Sequence, residues 1–409
     1  MAMLAEDYEY VIGGDPDRDT IDLAVLDTAT GRTRAHLAAP ADGAGYGRML
    51  DWASQHAPGR RVWALEGTGS FAAGLADALA GAGEDVVEVG ALKRRRGAKN
   101  DRLDAVRAAR SAMARDHQAS PRARGLREAI RALAATRHAV LISRTKAINE
   151  LKSLIIVAPE HLRASLRGRP LARQLDRIEA MTTSADATIE HRITTLTLQS
   201  ITARIRFLAA QLAELDPELT QLVSQHPAGP ALLAEPGVGP VVAAQMLISW
   251  SHPGRVRDEA AFACLAGVAP LEASSGQQTR HRLNRGGDRA LNRALHTVAI
   301  TRMRCHPETR AYHARRTTQG KTHRDIRRCI KRAIARRLYR IMESAARPEH
   351  HLTNIGASNG LLRQYLPKSA DLRQLDQAAL DAIAAELNDR PRQTLGFKTP
   401  SQALAEALP

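Results

Sequence analysis

Four carboxylates stand where they could share divalent cations: Asp15, Glu66, Asp101 and Asp104. Asp101 and Asp104 lie three residues apart, a spacing that puts both on one helical face. Carboxylates gathered at one point repel each other and hold raised pKa values. Paired Mg²⁺ or Mn²⁺ ions about 3.5–4 Å apart relieve that repulsion and suit hydrolysis or transesterification of phosphodiesters. Taken singly, each acid also fits a turn or cap, and the helix dipole alone favours Asp101 and Asp104 in a first helical turn. A second candidate is Glu272-Ala-Ser-Ser-Gly276, whose small residues present a hydroxyl to a phosphate without obstruction. It also reads simply as a loop: no His–Asp partner has hydrolase spacing, and there is no GxSxG elbow.

The elements that must position the acids alternate over the first 115 residues. Tyr8–Gly13 is a short apolar run, and Ile21–Asp27 alternates apolar and polar up to a turn at Thr28–Gly31. Arg32–Ala38 completes a three-strand meander. A helix over about Ala41–Gln55, a buried-type strand Arg61–Leu65, a helix Phe71–Leu79 and a strand Asp85–Val89 follow. The basic loop Lys93–Lys99 then leads into a helix from about Asp101. The order βββαβαβα is that of the ribonuclease-H-like fold. In it the first strand's acid, an acid ending the fourth strand and acids on the last helix converge on one edge.

From about Arg122 to Asp216 the apolar residues recur at threes, fours and sevens. They predict two long amphipathic helices joined by a loop around Pro159–Pro170, with Asp216-Pro217 stopping the second. Such a hairpin serves equally as an oligomerisation stalk or as plain core helices. Glu235-Pro-Gly-Val-Gly-Pro240 is a tight turn opening an apolar helix. It resembles the hairpin of helix–hairpin–helix modules, in which backbone amides near Gly237 and Gly239 face a phosphate.

Charge points to the partner. The 409 residues carry a net charge of +16, and the block Arg280–Arg340 holds nineteen Lys and Arg against three acids, so it accounts for the whole excess. A one-signed block repels itself unless a polyanion neutralises it, which indicates nucleic acid. Arg280, Arg282, Arg285, Arg289 and Arg293 open it, and arginine suits phosphates and guanine edges. Aromatics are 3% of the chain, too few for a platform stacking unpaired bases, so backbone-directed binding of duplex or structured nucleic acid is expected. No apolar run approaches the ~18 residues of a membrane span. The acidic start shows no signal peptide, and three scattered cysteines argue against a disulfide framework or zinc site. A soluble, reduced, cytoplasmic and nucleoid-associated protein is expected.

Several segments occur in an order seen in one group: Gly14-Asp15, Leu65-Glu-Gly-Thr-Gly-Ser70, Lys99-Asn-Asp-Arg-Leu-Asp-Ala105, Pro236-Gly-Val-Gly239, Gly267-Val-Ala-Pro270, Ser274-Ser-Gly276 and Asn284-Arg-Gly-Gly-Asp-Arg289. Over about residues 8–345 the chain resembles insertion-sequence transposases with a Holliday-junction-resolvase-like DEDD domain, the bridge-RNA-guided serine recombinases. The resemblance implies that Asp15, Glu66, Asp101 and Asp104 bind metal and that Ser275, or less favourably Ser274, attacks a phosphodiester to form a covalent protein–DNA intermediate. It implies a homo-oligomer, a dimer or tetramer, in which one subunit's quartet meets another's serine domain. A structured RNA would pair with element-end and target DNA. One departure stands out: Asp17-Arg18 occupies the place where members usually carry His-Lys.

The tail differs. Asn359-Gly-Leu-Leu-Arg-Gln-Tyr-Leu-Pro-Lys368 and Leu387-Asn-Asp-Arg-Pro-Arg-Gln-Thr-Leu-Gly-Phe-Lys-Thr-Pro400 look like the end of a DDE integrase-core transposase. Gly356 stands where that group has its catalytic Glu, so the tail reads as a fused remnant. The expected layout is an α/β resolvase-like domain at 1–118, a helical hairpin at 119–225, a mainly helical serine domain at 226–345 and the remnant at 346–409. The expected activity is DNA transposition or recombination. Competing readings are a resolvase-like metal nuclease without a serine intermediate and a non-catalytic nucleic-acid-binding remnant.

Overall fold

Alternation along the N-terminal strands builds a sheet with two different faces. In the computed structural model β1 (Tyr10–Pro16), β2 (Thr20–Asp27), β3 (Thr33–Pro40), β4 (Arg61–Glu66) and β5 (Asp85–Val89) form a mixed sheet in the order β3-β2-β1-β4-β5. The β1–β2 and β2–β3 pairs are antiparallel, while β1–β4 and β4–β5 are parallel. The residues described are 4–90, 101–115, 119–272, 281–284 and 286–345, with backbone only at Asp101, Glu272, His281 and Leu283. The chain divides into two units, Met1–Ala346 and Arg347–Pro409, and the second lies outside the described residues.

Ile12, Ile21, Leu23, Val25, Trp63 and Leu65 point to one face, where Met49 and Ala53 of α2 (Gly43–His56) and Leu75 and Leu79 of α3 (Ala73–Gly81) cover them. Val11, Ala24, Leu26, Val62 and Ala64 point to the other, under Ala105, Ala108, Ala109 and Ala112 of α4 (Asp101–Met113). A one-turn helix at Leu4–Asp7, α1, precedes the sheet. The small residues on the second face let α4 lie close: a Cβ at Gly13 would come within 2.0 Å of the Ala105 carbonyl oxygen. The acid-bearing end of the sheet and the start of α4 are thereby held against one another.

The helical hairpin is α5 (Leu126–Val157) against α8 (Ile189–Gln225). Ion pairs Arg137–Asp216 and Arg204–Glu150 fix it as antiparallel. The expected joining loop is instead two helices, α6 (Glu160–Leu166) and α7 (Leu171–Glu179), because Leu166, Leu175 and Ile178 bury themselves against Leu151, Leu198 and Ile205. The expected stop at Asp216-Pro217 is also absent, and α8 continues eight residues past Pro217. An interior proline costs about 3 kcal/mol. Leu219 and Val223, both fully buried in the next core, return about 1.5–3 kcal/mol each, enough to carry the helix through.

That core holds α9 (Gly229–Leu233), α10 (Pro240–Trp250), α11 (Glu259–Leu265), the hairpin β6 (Pro270–Glu272) with β7 (His281–Leu283), α12 (Arg289–Cys305), α13 (Pro307–Thr318) and α14 (His323–Ala345). Trp250, Phe262, Leu295 and Leu338 lie at its centre, and Ile130 of α5 joins them. No helix among the described residues is long and apolar enough to cross a membrane. The three cysteines are free and exposed.

Candidate active site

Strand register brings the first two acids together. β1 and β4 run parallel with Gly14 opposite Leu65, so Asp15 and Glu66 are the next residues on adjacent strands. Both follow residues of the α4 face, Gly13 and Ala64, at the two-residue strand period, and therefore lie on that face. Asp101 and Asp104 open the helix lying over it, and Asp101 shares a helical stripe with Ala105 and Ala108. Asp15, Glu66 and Asp104 are half-buried. Asp104 accepts a hydrogen bond from Arg107, one turn on. The side chain of Asp101 lies outside the described residues. Among the described residues, no three His, Cys, Asp or Glu side chains stand close enough to hold a metal ion together.

Sequence reasoning missed Asp22. It sits directly opposite Asp15 in the antiparallel register, half-buried, and at the strand period of Ala24 and Leu26 it shares the α4 face. Like charges facing one another across strands destabilise a sheet. The signal was present in the alternation of Ile21–Asp27, which sends Asp22 to the face opposite Ile21 and Leu23.

Ser274, Ser275 and Arg280 fall in the connection between β6 and β7 and, with Arg285, lie outside the described residues. The base of that connection is fixed. Pro270 pairs with Leu283 and Leu271 with Arg282. Gly267, at φ 64°, packs against Gly287 so closely that a Cβ on Gly287 would lie 2.4 Å from the Gly267 nitrogen. Asp288 then caps α12 by accepting from the backbone N–H of Ala290 and Leu291, and it receives the Ser249 hydroxyl at 2.7 Å. Arg282 is exposed on β7, and Arg289 and Arg293 are exposed one turn apart on α12.

The Glu235–Pro240 turn is anchored from below. Gly237, at φ 79°, rests on Thr301, and Gly239 is the exposed N-cap of α10. Glu235 is buried and accepts from Arg302 and Arg337, each at 2.8 Å. Burial pulls its carboxyl up, but the hydrogen bonds from Arg337 and Arg302 outweigh that and hold it below the usual range. Arg302 also donates to the Pro236 carbonyl. Glu259 pairs with Arg336 and Arg340 in the same way. The basic block therefore does not wait for a polyanion at every position: two acids from outside it already pair with four of its arginines and offset two of their charges.

Residues 12–157 match a family model described as "Transposase", that of the IS110 DEDD domain, and residues 230–314 match "Transposase IS116/IS110/IS902 family". The chain is 32% identical over 129 residues to the "Insertion element IS110 uncharacterized 43.6 kDa protein" of Streptomyces coelicolor, covering 31% of this chain and 32% of that protein. It is 29% identical over 123 residues to the "Insertion element IS900 uncharacterized 42 kDa protein" of Mycobacterium paratuberculosis, covering 28% and 30%. A separate likeness, 59% identity over 51 residues, is to the "Transposase for insertion sequence element IS1086" of Cupriavidus metallidurans, covering 12% and 15%. The matches thus span about a third or less of these relatives' length.

Proposed function

The chain belongs to the IS110 family of insertion-sequence transposases, and from that premise we propose that it cuts and rejoins DNA at the ends of a mobile element. The observation that carries the proposal is that Asp15 and Glu66 stand side by side on adjacent parallel strands, on the face that α4 covers. The sheet order supports reading this part as ribonuclease-H-like. Asp15, Glu66, Asp101 and Asp104 would hold Mg²⁺ or Mn²⁺, since an all-carboxylate donor set suits hard cations. When bound, the metal neutralises charge developing on a phosphodiester. Arg107, by donating to the Asp104 carboxylate, orients it on α4.

Ser275 is the proposed nucleophile. Its oxygen attacks phosphorus, a Ser–O–P bond forms as one P–O bond of the strand breaks, and the serine proton passes to the departing oxygen, which leaves as a hydroxyl. The bond energy is conserved, so the reverse attack rejoins the strand. Arg282, Arg289 and Arg293, with Arg280 and Arg285, would hold the backbone on either side, and the amides near Gly237 and Gly239 would take a further phosphate. A structured RNA would select the target, and the chain would act as a homo-oligomer on nucleoid DNA in the cytoplasm. The Asn359–Lys368 and Leu387–Pro400 segments support reading the tail as a fused end of a second transposase type.

Denaturing electrophoresis of protein trapped on a suicide substrate tests this reading. A DNA-shifted band is expected in wild type and is absent in Ser275→Ala. Asp104→Asn should lose metal-dependent recombination. A band lost only in Ser274→Ala moves the nucleophile by one residue. Cleavage without any band favours direct attack by water, as in a resolvase-like nuclease, and no cleavage at all favours a binding remnant.

A further inference from the structure

A cavity of about 510 Å³ opens between α14, β7 and the Gly267–Pro270 segment. Its wall carries Arg282, Arg328, Lys331, Arg332 and Arg336 against one acid, Asp325. Asp325 is already engaged by Arg328 and by the Thr322 hydroxyl at 2.6 Å, and Arg336 is engaged by Glu259. Among the described residues Arg332 donates to a neutral partner, the Glu259 carbonyl oxygen at 3.0 Å.

Lys331 is the unusual member. It is 9% exposed, yet among the described residues no carboxylate pairs with it. Its ammonium donates to the Asn292 side-chain oxygen at 2.6 Å. That oxygen is aimed at it because the Asn292 amide nitrogen donates to the Ala266 and Gly267 carbonyls. Among the described residues, that neutral hydrogen bond is its one side-chain partner, and no carboxylate offsets its charge. A buried charge in that condition is costly unless a counter-ion completes it. Burial, and after it the nearby Arg327, lower its pKa, the direction that a bound anion would reverse.

We propose that this cavity seats a backbone phosphodiester of the bound nucleic-acid strand, with Lys331 as its fixed cation and Arg282 and Arg332 closing on it. The inference rests on the transposase reading and adds residues of α14 to it. Arg282 stands seven residues after Ser275 in the sequence, so the cavity draws on the same stretch of chain as the proposed nucleophile.

The test is fluorescence anisotropy of the full chain with a labelled DNA duplex and, separately, a structured RNA, each titrated over a range of salt. Lys331→Gln should weaken binding about tenfold, uniformly across sequences, and reduce the slope of log affinity against log salt by about 0.9. Lys331→Arg should keep the slope. Arg282→Gln lies on an exposed strand and should show the same loss without disturbing the core. A loss in the DNA arm or in the RNA arm identifies the strand. Unchanged slope and affinity in both arms for both Gln variants would overturn the cavity's role. A wild type with no salt-dependent binding would overturn the transposase reading itself.

Discussion

Gly13 decides how closely the helix bearing Asp101 and Asp104 approaches the strand bearing Asp15. An added Cβ meets the Ala105 carbonyl oxygen at 2.0 Å and the Ala109 nitrogen at 2.6 Å, and both are backbone atoms of α4 that no rotamer change can move. Gly13→Ala must push α4 outward. Overpacking of this kind costs about 1–3 kcal/mol, while the acids part by a fraction of an ångström to which metal geometry is sensitive. We expect recombination to fall at least tenfold while the thermal midpoint drops by only a few degrees. Equal activity in the variant would show that α4's position does not matter to the chemistry. The positions of Asp15 and Glu66 were legible in sequence because Glu66 is the last residue of β4 and Asp15 the last but one of β1. Asp22, Gly13 and Glu235 were not singled out, because their roles depend on what another element places opposite them. The two serines were legible only as a loop, and they lie outside the described residues.

At the scale of elements, local signals worked where burial follows the chain's own period and failed where a distant core intervened. Strand β5 falls on Asp85–Val89, as its sequence indicates, just after the turn at residues 82–83. The Asp216-Pro217 signal misled because it is purely local. Pro217 removes one backbone donor and crowds the carbonyl of Ala213, yet Leu219 and Val223 beyond it are already committed to the core around Trp250. The helix therefore carries a strained residue that packing tolerates. Pro217→Ala should restore the hydrogen bond and stabilise the protein by about 1–2 kcal/mol, the ~3 kcal/mol helix penalty less the unfolded-state entropy that proline removes. A higher denaturant midpoint with an unchanged slope is the expected reading. A lower midpoint would mean that the bend at Pro217 is required for the fit of α8 between its two cores.

For the whole molecule, the sequence left open whether the α5–α8 hairpin is core or interface. The core answer holds on one face, and we propose the interface on another. Ala147, Leu151, Leu198, Ile201 and Ile205 close against α6 and α7. Yet Ile156, Val157, Ile189, Leu196 and Phe207 are each more than half exposed, from 60% at Leu196 to 74% at Ile189. Large apolar side chains exposed along these helices are the kind of surface that a partner covers, and we propose that one does here. A second copy is the occupant consistent with the proposed assembly, in which one subunit's acids meet another's serine connection. Leu196→Glu with Phe207→Glu adds two charges to this surface without entering the core, so helix content and thermal midpoint should stay near wild type. Sedimentation should then shift from an oligomer to a monomer of 44.4 kDa, with recombination lost and binding to a DNA duplex largely retained. Retention of the oligomer in this variant would place the self-association surface elsewhere. A wild type already monomeric, with and without nucleic acid, would remove the trans arrangement from the proposal.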